Sequence, residues 1–346
     1  MRISSRTSNG LLTLKHPEKI RLLFMAPYAP NGPDYDMSSY LGAGGYPDYY
    51  FEIFNRLKKL KLQVESTSKP YAVTQADGMF DYVFSLFNRM PIRNSEVFVS
   101  SYCEYLNIPY LGACPNIRAA AEDKFISKMV AQSLGIPVPQ GQIYHYQMSP
   151  LRPPLFPGPY FIKDRYGAGS EGLTIENVQE DWSGAKRIVQ AIWEQGSDAL
   201  VEEMVEGIDI TVPVIGDKTP RMLGVVHVPS DKPNNILTED LKLTDPLGYR
   251  MYDAPTQLLS TINTDAKRLW NALGPMDYFR LDYRLNPETG VRKFLEFNVC
   301  CYISEDGAFG LSSKNKNITA DELLAHIISY SLIRQGGWRK YSQRIL

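Results

Sequence analysis

The strongest constraint on the fold is one hairpin-like stretch, FRLDYRLNPETGVRKFLEFNV, residues 279–299. NPETG reads as a turn between two strand-forming runs, Asp282–Leu285 and Arg292–Phe297. Residues two apart on a strand project from the same face. Arg280 and Asp282 therefore share a face, and so do Glu296 and Asn298 on the return strand, while Phe279, Leu281, Leu295 and Phe297 are expected to fill the other. Asp282, Glu296 and Asn298 offer three hard oxygen ligands from two paired strands, a set suited to Mg²⁺ completed by phosphates and water. The rival reading is an ordinary solvated face, but Arg, Asp, Glu and Asn lack the lysine-rich look of one.

Upstream, FIKDRYGAGSEGLTIENV (residues 161–178) contains Gly167, Gly169 and Gly172 in the G-x-G-x-x-G spacing. A dinucleotide fingerprint must open a helix, because the pyrophosphate rests on that helix's N-terminus. Here Leu173–Asn177 is β-branched and alternating, so it is predicted as a strand, and no acidic residue follows at the ribose-binding distance of roughly 20 residues. The match is therefore accidental as a dinucleotide motif, and an NAD oxidoreductase is the disfavoured rival. A glycine turn between strands still lets the N–H groups of Ala168–Gly172 approach phosphate oxygens, with Lys163 adding a point charge. Alone, loop and lysine do not outweigh a merely flexible hairpin.

The 346 residues suffice for two or three domains, and 44% apolar with 22% charged residues is an ordinary globular balance. A net charge of −1 supplies no basic field for nucleic acid or anionic membrane, and no apolar run reaches the ~20 residues of a membrane span. Cys103, Cys114, Cys300 and Cys301 lack zinc-ligand spacing and fit a reducing cytoplasm; Cys300 and Cys301 are either two thiols or a vicinal disulfide. Residues 1–18 read as a flexible polar leader.

Strand–helix alternation over residues 19–115 suggests a parallel sheet with covering helices: strands at Ile20–Met25, Tyr82–Leu86 and Pro109–Leu111, helices at Tyr49–Leu62 and Glu96–Leu106. Asn116–Leu134 is predicted as one helix ending at Gly135. Strands follow at Tyr160–Lys163, Ala199–Glu203, Ile208–Ile215 and Arg221–Val228. Helices are predicted at Trp182–Glu194, Gln257–Leu273 and Asp321–Arg334, and residues 229–255 form a loop or lid.

With these motifs in order, the sequence resembles the ATP-grasp superfamily, and within it the D-alanine–D-alanine ligase branch, from about residue 80 to 335. Five places carry the resemblance: LGIPVP after a helix bearing Asp123-Lys124, FIK with its glycine-serine loop, VEEMVEGIDITVPVIG, FRLDYRL and FLEFN. It implies an α/β chain, α+β in its ATP-binding part: an ATP-grasp fold with an N-terminal Rossmann-like domain (19–115), a central lid subdomain (116–200) and a catalytic domain (201–346). By resemblance, Lys124 and Lys163 are the phosphate lysines, and Gly167, Ala168, Gly169, Ser170 and Gly172 the phosphate loop. Glu202, Glu203 and Val205 are the adenine hinge, Asp209 the ribose acid and Arg280 the oxyanion donor. Asp282, Glu296 and Asn298 hold Mg²⁺, two ions being expected, with Mn²⁺ as an alternative. Lys242 matches a lid lysine or is a solvated loop residue.

The implied reaction is ATP-dependent carboxylate–amine ligation through an acyl phosphate, forming an amide bond, with Lys163, Ser170 and Arg280 as the catalytic set and small-molecule acid and amine substrates, one of them a small amino acid or amino-acid derivative other than D-alanine. The alternative is a non-catalytic ATP-binding protein of the same fold. Relatives dimerise through the first domain, so a homodimer is expected. Two departures fall on substrate recognition. Val299-Cys300-Cys301-Tyr302-Ile303-Ser304 replaces the small-residue turn after Asn298, and PNGPDYDMSSYLGAGGYPDYY replaces the amino-group-binding glutamate motif. Tyr28, Tyr40, Tyr46, Cys301 and Tyr302 point to a larger or aromatic substrate, or else are packing. His145 and His227 are candidate bases by residue type only.

Overall fold

The computed structural model describes residues 5–30, 35–40, 45–88, 90, 95–167, 172–229 and 248–342. Ala168, Gly169, Ser170 and Lys242 lie outside these residues.

The apolar run β1 (Arg21–Met25) is buried from Leu22 onward and sits between β2 (Gln63–Thr67) and β3 (Tyr82–Ser85), parallel to both. Tyr110 adds a parallel bridge to Val83. The polar edge strand β2 is invisible to a search for apolar runs, because its residues are only half-buried or exposed. Helix Tyr46–Lys59 covers one face of the sheet, packing Tyr49, Tyr50, Ile53 and Leu57 against Leu22 and Phe24.

The helix expected over 116–134 is two helices, Pro115–Glu122 and Lys124–Ser133. The break is at Asp123, whose backbone is extended (φ −97°, ψ 102°) and whose carboxylate accepts the N–H groups of Phe125 and Ile126 at 3.0 Å each. This is an N-cap inserted within an apolar periodicity. Arg165 locks the same carboxylate from the next sheet, at 2.6 Å.

That sheet runs β4 (Gly141–Tyr144), β7 (Ala199–Glu203), β5 (Tyr160–Asp164), β6 (Val178–Gln179), antiparallel throughout, with helix Trp182–Glu194 packed on it. Residue 200 thus lies inside a strand of this sheet. Leu173–Asn177 is not the expected strand. Thr174 and Asn177 form a capping box that turns Ile175–Asn177 into a 3-10 helix, leaving only Val178–Gln179 extended. The glycine loop still joins two antiparallel strands and opens no α-helix.

The third sheet has β8 (Ile208–Ile215) at its centre, with β9 (Arg221–Met222), β10 (Val226–His227) and β11 (Arg250–Met251) on one side and β12 (Tyr278–Leu285) then β13 (Arg292–Asn298) on the other. The single strand expected over Arg221–Val228 is interrupted opposite Pro213. Met222 pairs with Val214 and Val226 with Thr211, so one extra residue bulges where proline offers no N–H. Helix Thr256–Leu273 packs Ile262, Ala266 and Leu269 against Val212, Phe279 and Leu281.

The β12–β13 register pairs Arg280 with Asn298 and Asp282 with Glu296, then shifts so that Tyr283 pairs with Phe294. Leu295 is the extra residue. Phe294, fully buried, therefore takes the core position expected of Leu295, which is only half-buried. The bulge brings Lys293 and Glu296 to the face opposite the core.

Asp123→Ala removes both the cap and the buried partner of Arg165. We expect a stability loss of about 2 kcal/mol in urea unfolding, against a smaller loss for Asp123→Asn, which retains a capping oxygen.

Candidate active site

Between the second and third sheets lies a buried cluster of opposite charges. Asp282 accepts Nε of Arg280 at 3.1 Å and its Nη2 at 2.8 Å, Oγ1 of Thr211 at 2.9 Å and Nδ2 of Asn298 at 2.8 Å. Asn298 Nδ2 also reaches Glu296 Oε1 at 3.4 Å, which leaves the amide oxygen of Asn298 for a ligand. Burial pushes the Asp282 carboxyl up against the pull of Arg280, and Glu296 adds repulsion. Glu296 is driven the other way, down to about 2, because Lys124, Lys163, Lys128 and Arg280 together outweigh its own burial. Tyr249 closes this end. Its phenol is pushed up by burial, and its hydroxyl is hydrogen-bonded to Thr211.

Lys124 and Lys128 are four apart, so both leave the same face of helix Lys124–Ser133. Lys124 Nζ stands 4.0 Å from Glu296 Oε2. Lys163, at the end of β5, is 2.7 Å from Glu202 Oε2, and Lys128 is 2.9 Å from Glu202 Oε1. Burial lowers Lys124, and lowers Lys128 to about 8. Burial pulls Lys163 down as well, but Glu202 outweighs it and the net shift is upward. Four cations (Lys124, Lys128, Lys163, Arg280) face four carboxylates (Glu202, Glu296, Asp282, Asp164), so the lysines stand paired until an anion draws them away.

Glu202 is not an exposed strand end; its side chain is 2% exposed. The Glu203 N–H goes to Gln140 O at 2.9 Å and the Met204 N–H to Pro159 O at 2.8 Å, whereas the Val205 N–H makes no hydrogen bond among the described residues. The Glu203 carboxylate meets Lys293 at 3.2 Å and the Gln140 N–H at 3.1 Å, tying the hinge to β13. Arg284 donates to Val205 O at 3.0 Å and to Asp209 Oδ1 at 2.9 Å. Asp164 turns the chain out of β5 by accepting the N–H groups of Tyr166 (2.7 Å) and Gly167 (3.2 Å), and Gly172 adopts φ 70° where the described chain resumes.

The structure thus brings Lys124, Lys163, Glu202, Arg280, Asp282, Glu296 and Asn298 into one site, with Glu203, Val205 and Asp209 along its edge. His145 instead pairs with Asp198 at 3.1 Å, and His227 stacks edge-on to Tyr252. Sequence reasoning missed Lys128, Thr211, Tyr249 and Arg284. Two of these had a periodic signal: Lys128 lies one helical turn past Lys124, and Arg284 continues the alternation of Arg280 and Asp282.

A parallel N-terminal sheet followed by two antiparallel sheets that close on a lysine–carboxylate cluster defines an ATP-grasp protein. Solved structures agree: D-alanine–D-alanine ligase from Bacillus anthracis in complex with ATP superposes with a TM-score of 0.70 at 17% identity, covering 92% of this chain and 99% of that one. The VanG D-Ala:D-Ser ligase of Enterococcus faecalis gives 0.67 at 14% identity, over 90% and 99%. More particularly, residues 156–329 match the family model for the D-ala D-ala ligase C-terminus, and the chain belongs to that family. D-alanine–D-alanine ligase from Xanthobacter autotrophicus is 26% identical over 61% of this chain, and the match spans just 66% of the relative's own length. An uncharacterized protein of Sinorhizobium fredii, y4sG, is 24% identical over 81% of this chain and 82% of its own length.

Cys300 and Cys301 are free thiols, both raised by burial, Cys301 to about 12. Alkylation of Cys301 at pH 8 is expected to be about a thousandfold slower in the native than in the unfolded chain, rising tenfold per pH unit. Rapid native labelling in a mass-spectrometric time course would contradict this.

Proposed function

We propose that the chain is an ATP-dependent carboxylate–amine ligase whose substrates include a partner bulkier than D-alanine. The observation that carries this is the approach of Lys124 and Lys163 to Glu296, the cross-strand neighbour of an arginine-bound Asp282. A nucleotide's phosphates, a divalent ion and an oxyanion donor would meet at that point.

The residues fit Mg²⁺. Asp282, Glu296 and Asn298 present hard oxygens at neighbouring register positions, and the repulsion between the Asp282 and Glu296 carboxylates is what a divalent cation would relieve. Bound there, Mg²⁺ ions would screen phosphate charge and orient the transferring phosphoryl group.

The protein's own groups supply the rest. The free Val205 N–H meets the adenine edge, and Asp209, with Arg284 beside it, accepts ribose hydroxyls. Lys124, Lys163 and the loop of Gly167, Ala168, Gly169, Ser170 and Gly172 hold the phosphates. A substrate carboxylate oxygen attacks the γ-phosphorus, ADP leaves, and an acyl phosphate forms. The amine nitrogen then attacks the acyl carbon, phosphate leaves, and the amine proton is released. Arg280, oriented by Asp282, stabilises the oxyanion of that second step. A division at residue 115, with the second one moved past β7 (Ala199–Glu203), a cytoplasmic location and a homodimer through the first domain belong to the same reading.

The substrate end supports a bulky partner. Tyr302, four residues past Asn298, stacks on Tyr49 with centroids 3.8 Å apart and meets Tyr46 edge-on at 5.7 Å; Tyr28 and Tyr40 pack at 4.8 Å beyond. Such a wall suits an aromatic or large apolar side chain through stacking.

The test is a screen of paired amino and carboxylic acids for phosphate release, with mass analysis of product. Failure of every pair, with nucleotide still bound, would overturn the ligase reading. Arg280→Ala is expected to leave ATP affinity nearly intact and lower the rate of product formation about 10²–10³-fold. Tyr302→Ala is expected to raise KM for the bulky substrate about tenfold while kcat for small ones changes little.

A further inference from the structure

Lys163 has a conflict built into its position. It is the cation at the mouth of the phosphate loop, yet it is 2.7 Å from a carboxylate that is itself almost wholly buried. If Lys163 turns to a phosphate, Glu202 loses one of the two cations that hold its pKa below the ordinary value in spite of burial. A buried carboxylate without a counter-ion is strongly disfavoured. Some other cation must take it over.

Lys128 is the group placed to do so. The residue is 4% exposed, and its ammonium is 2.9 Å from the second oxygen of Glu202, the one Lys163 does not hold. The charged groups facing it are Lys124 from its own helix, Lys163 from β5, Glu202 from β7 and Glu296 from β13. Glu296 is already faced by Lys124, so Glu202 is the carboxylate left for Lys128.

We propose that Lys128 is a positioning residue: by serving as the standing counter-ion of Glu202, it releases Lys163 to the nucleotide's phosphates. This rests on the nucleotide-binding part of the reading above and is independent of the substrate. Without Lys128, Glu202 retains Lys163 and nucleotide binds against that pair. The ionisation of the two lysines agrees in direction. Burial brings Lys128 down to about 8, while Lys163 is raised, so Lys128 is the first to lose its proton as pH rises. Nucleotide affinity therefore falls as pH rises through about 8.

The experiment is calorimetric binding of the non-hydrolysable β,γ-imido analogue of ATP with MgCl₂, with thermal unfolding recorded for each variant. Lys128→Met is expected to weaken binding about tenfold, and Lys128→Arg to stay within about threefold. The double variant Lys128→Met with Glu202→Gln is expected to recover most of the loss, since Lys163 then has no carboxylate to retain it. A role in packing alone predicts a double variant no tighter than the single one, and that result overturns the proposal. So does wild-type affinity in Lys128→Met. The alkaline fall in affinity is expected in the wild type and absent in Lys128→Arg; should Lys128→Met fail to fold, an unchanged profile in Lys128→Arg overturns the proposal by itself. Wild-type binding with no ligation product would sink the ligase reading and leave this one standing. Absence of any nucleotide binding would overturn both.

Discussion

The pairing of β12 with β13 is the constraint on which the site depends. It sets Arg280 opposite Asn298 and Asp282 opposite Glu296, and a slip of one residue would send both polar side chains of the slipped strand into the core. The slip is blocked from both sides. β8 pairs with β12 over its whole length, placing Thr211 against Asp282 and Asp209 against Arg284, so the polar face continues across three strands. On the other face Phe279, Leu281, Phe294 and Phe297 pack under helix Thr256–Leu273. The bulge at Leu295 reconciles the two demands. It lets Phe294 and Phe297 both reach the core while Lys293 and Glu296 both reach the hinge and the site.

The cluster on that polar face gains its anion preference from a concentration of cations as well as from geometry. Asp282 is neutralised largely by Arg280, which costs the arginine nothing in orientation because the same contact fixes its guanidinium. Glu296 is held ionised to about pH 2 by the surrounding cations, so the metal-type oxygen nearest the lysines is available throughout the neutral range. Its folded pKa lies below the ordinary carboxylate value. Its stabilising contribution is therefore present at neutral pH and is lost only as pH falls through that low value. Lys124, Lys128 and Lys163 converge on Glu202, Glu296 and Asp164, a concentration of cations that suits a polyphosphate better than a neutral ligand.

Much of this was legible in the sequence, and the limits have physical causes. Alternation in FRLDYRL and FLEFN located the polar face, but a β-bulge shifts parity without any composition signal, so Leu295 and Phe294 exchanged roles. The helix break at Asp123 was hidden because the apolar stripe runs through it; only the cap geometry and Arg165 reveal it. Thr174–Asn177 has β-branched residues that read as a strand, yet side-chain capping won over propensity. Glu202 was placed on the right strand for the hinge, while its burial between two lysines depends on pairing between β5 and β7, which no local pattern encodes. Lys128 and Arg284 do continue the periodicity of their neighbours, but a cation one turn or one alternation further on reads equally well as a solvated side chain until its buried partner is seen.

The substrate end shows how far the chain has been rebuilt around one departure. Arg118 is buried and donates to Ala113 O at 2.8 Å and to Cys300 Sγ at 2.6 Å, while Asn88 holds the Cys300 carbonyl at 2.7 Å. Gly112 (φ 95°) is required where it stands, since a Cβ there would lie 2.5 Å from the Arg118 guanidinium. The loop after Asn298 is thus fastened to the N-terminal sheet by an arginine, a thiol and an amide, and the Tyr49 hydroxyl accepts the Ile303 N–H at 3.3 Å. A loop held in this way keeps Tyr302 stacked on Tyr49 and gives the site a rigid aromatic wall. For the ligase proposed above, such a wall would select by shape, because it cannot collapse onto a small ligand without losing the stacking that holds it in place.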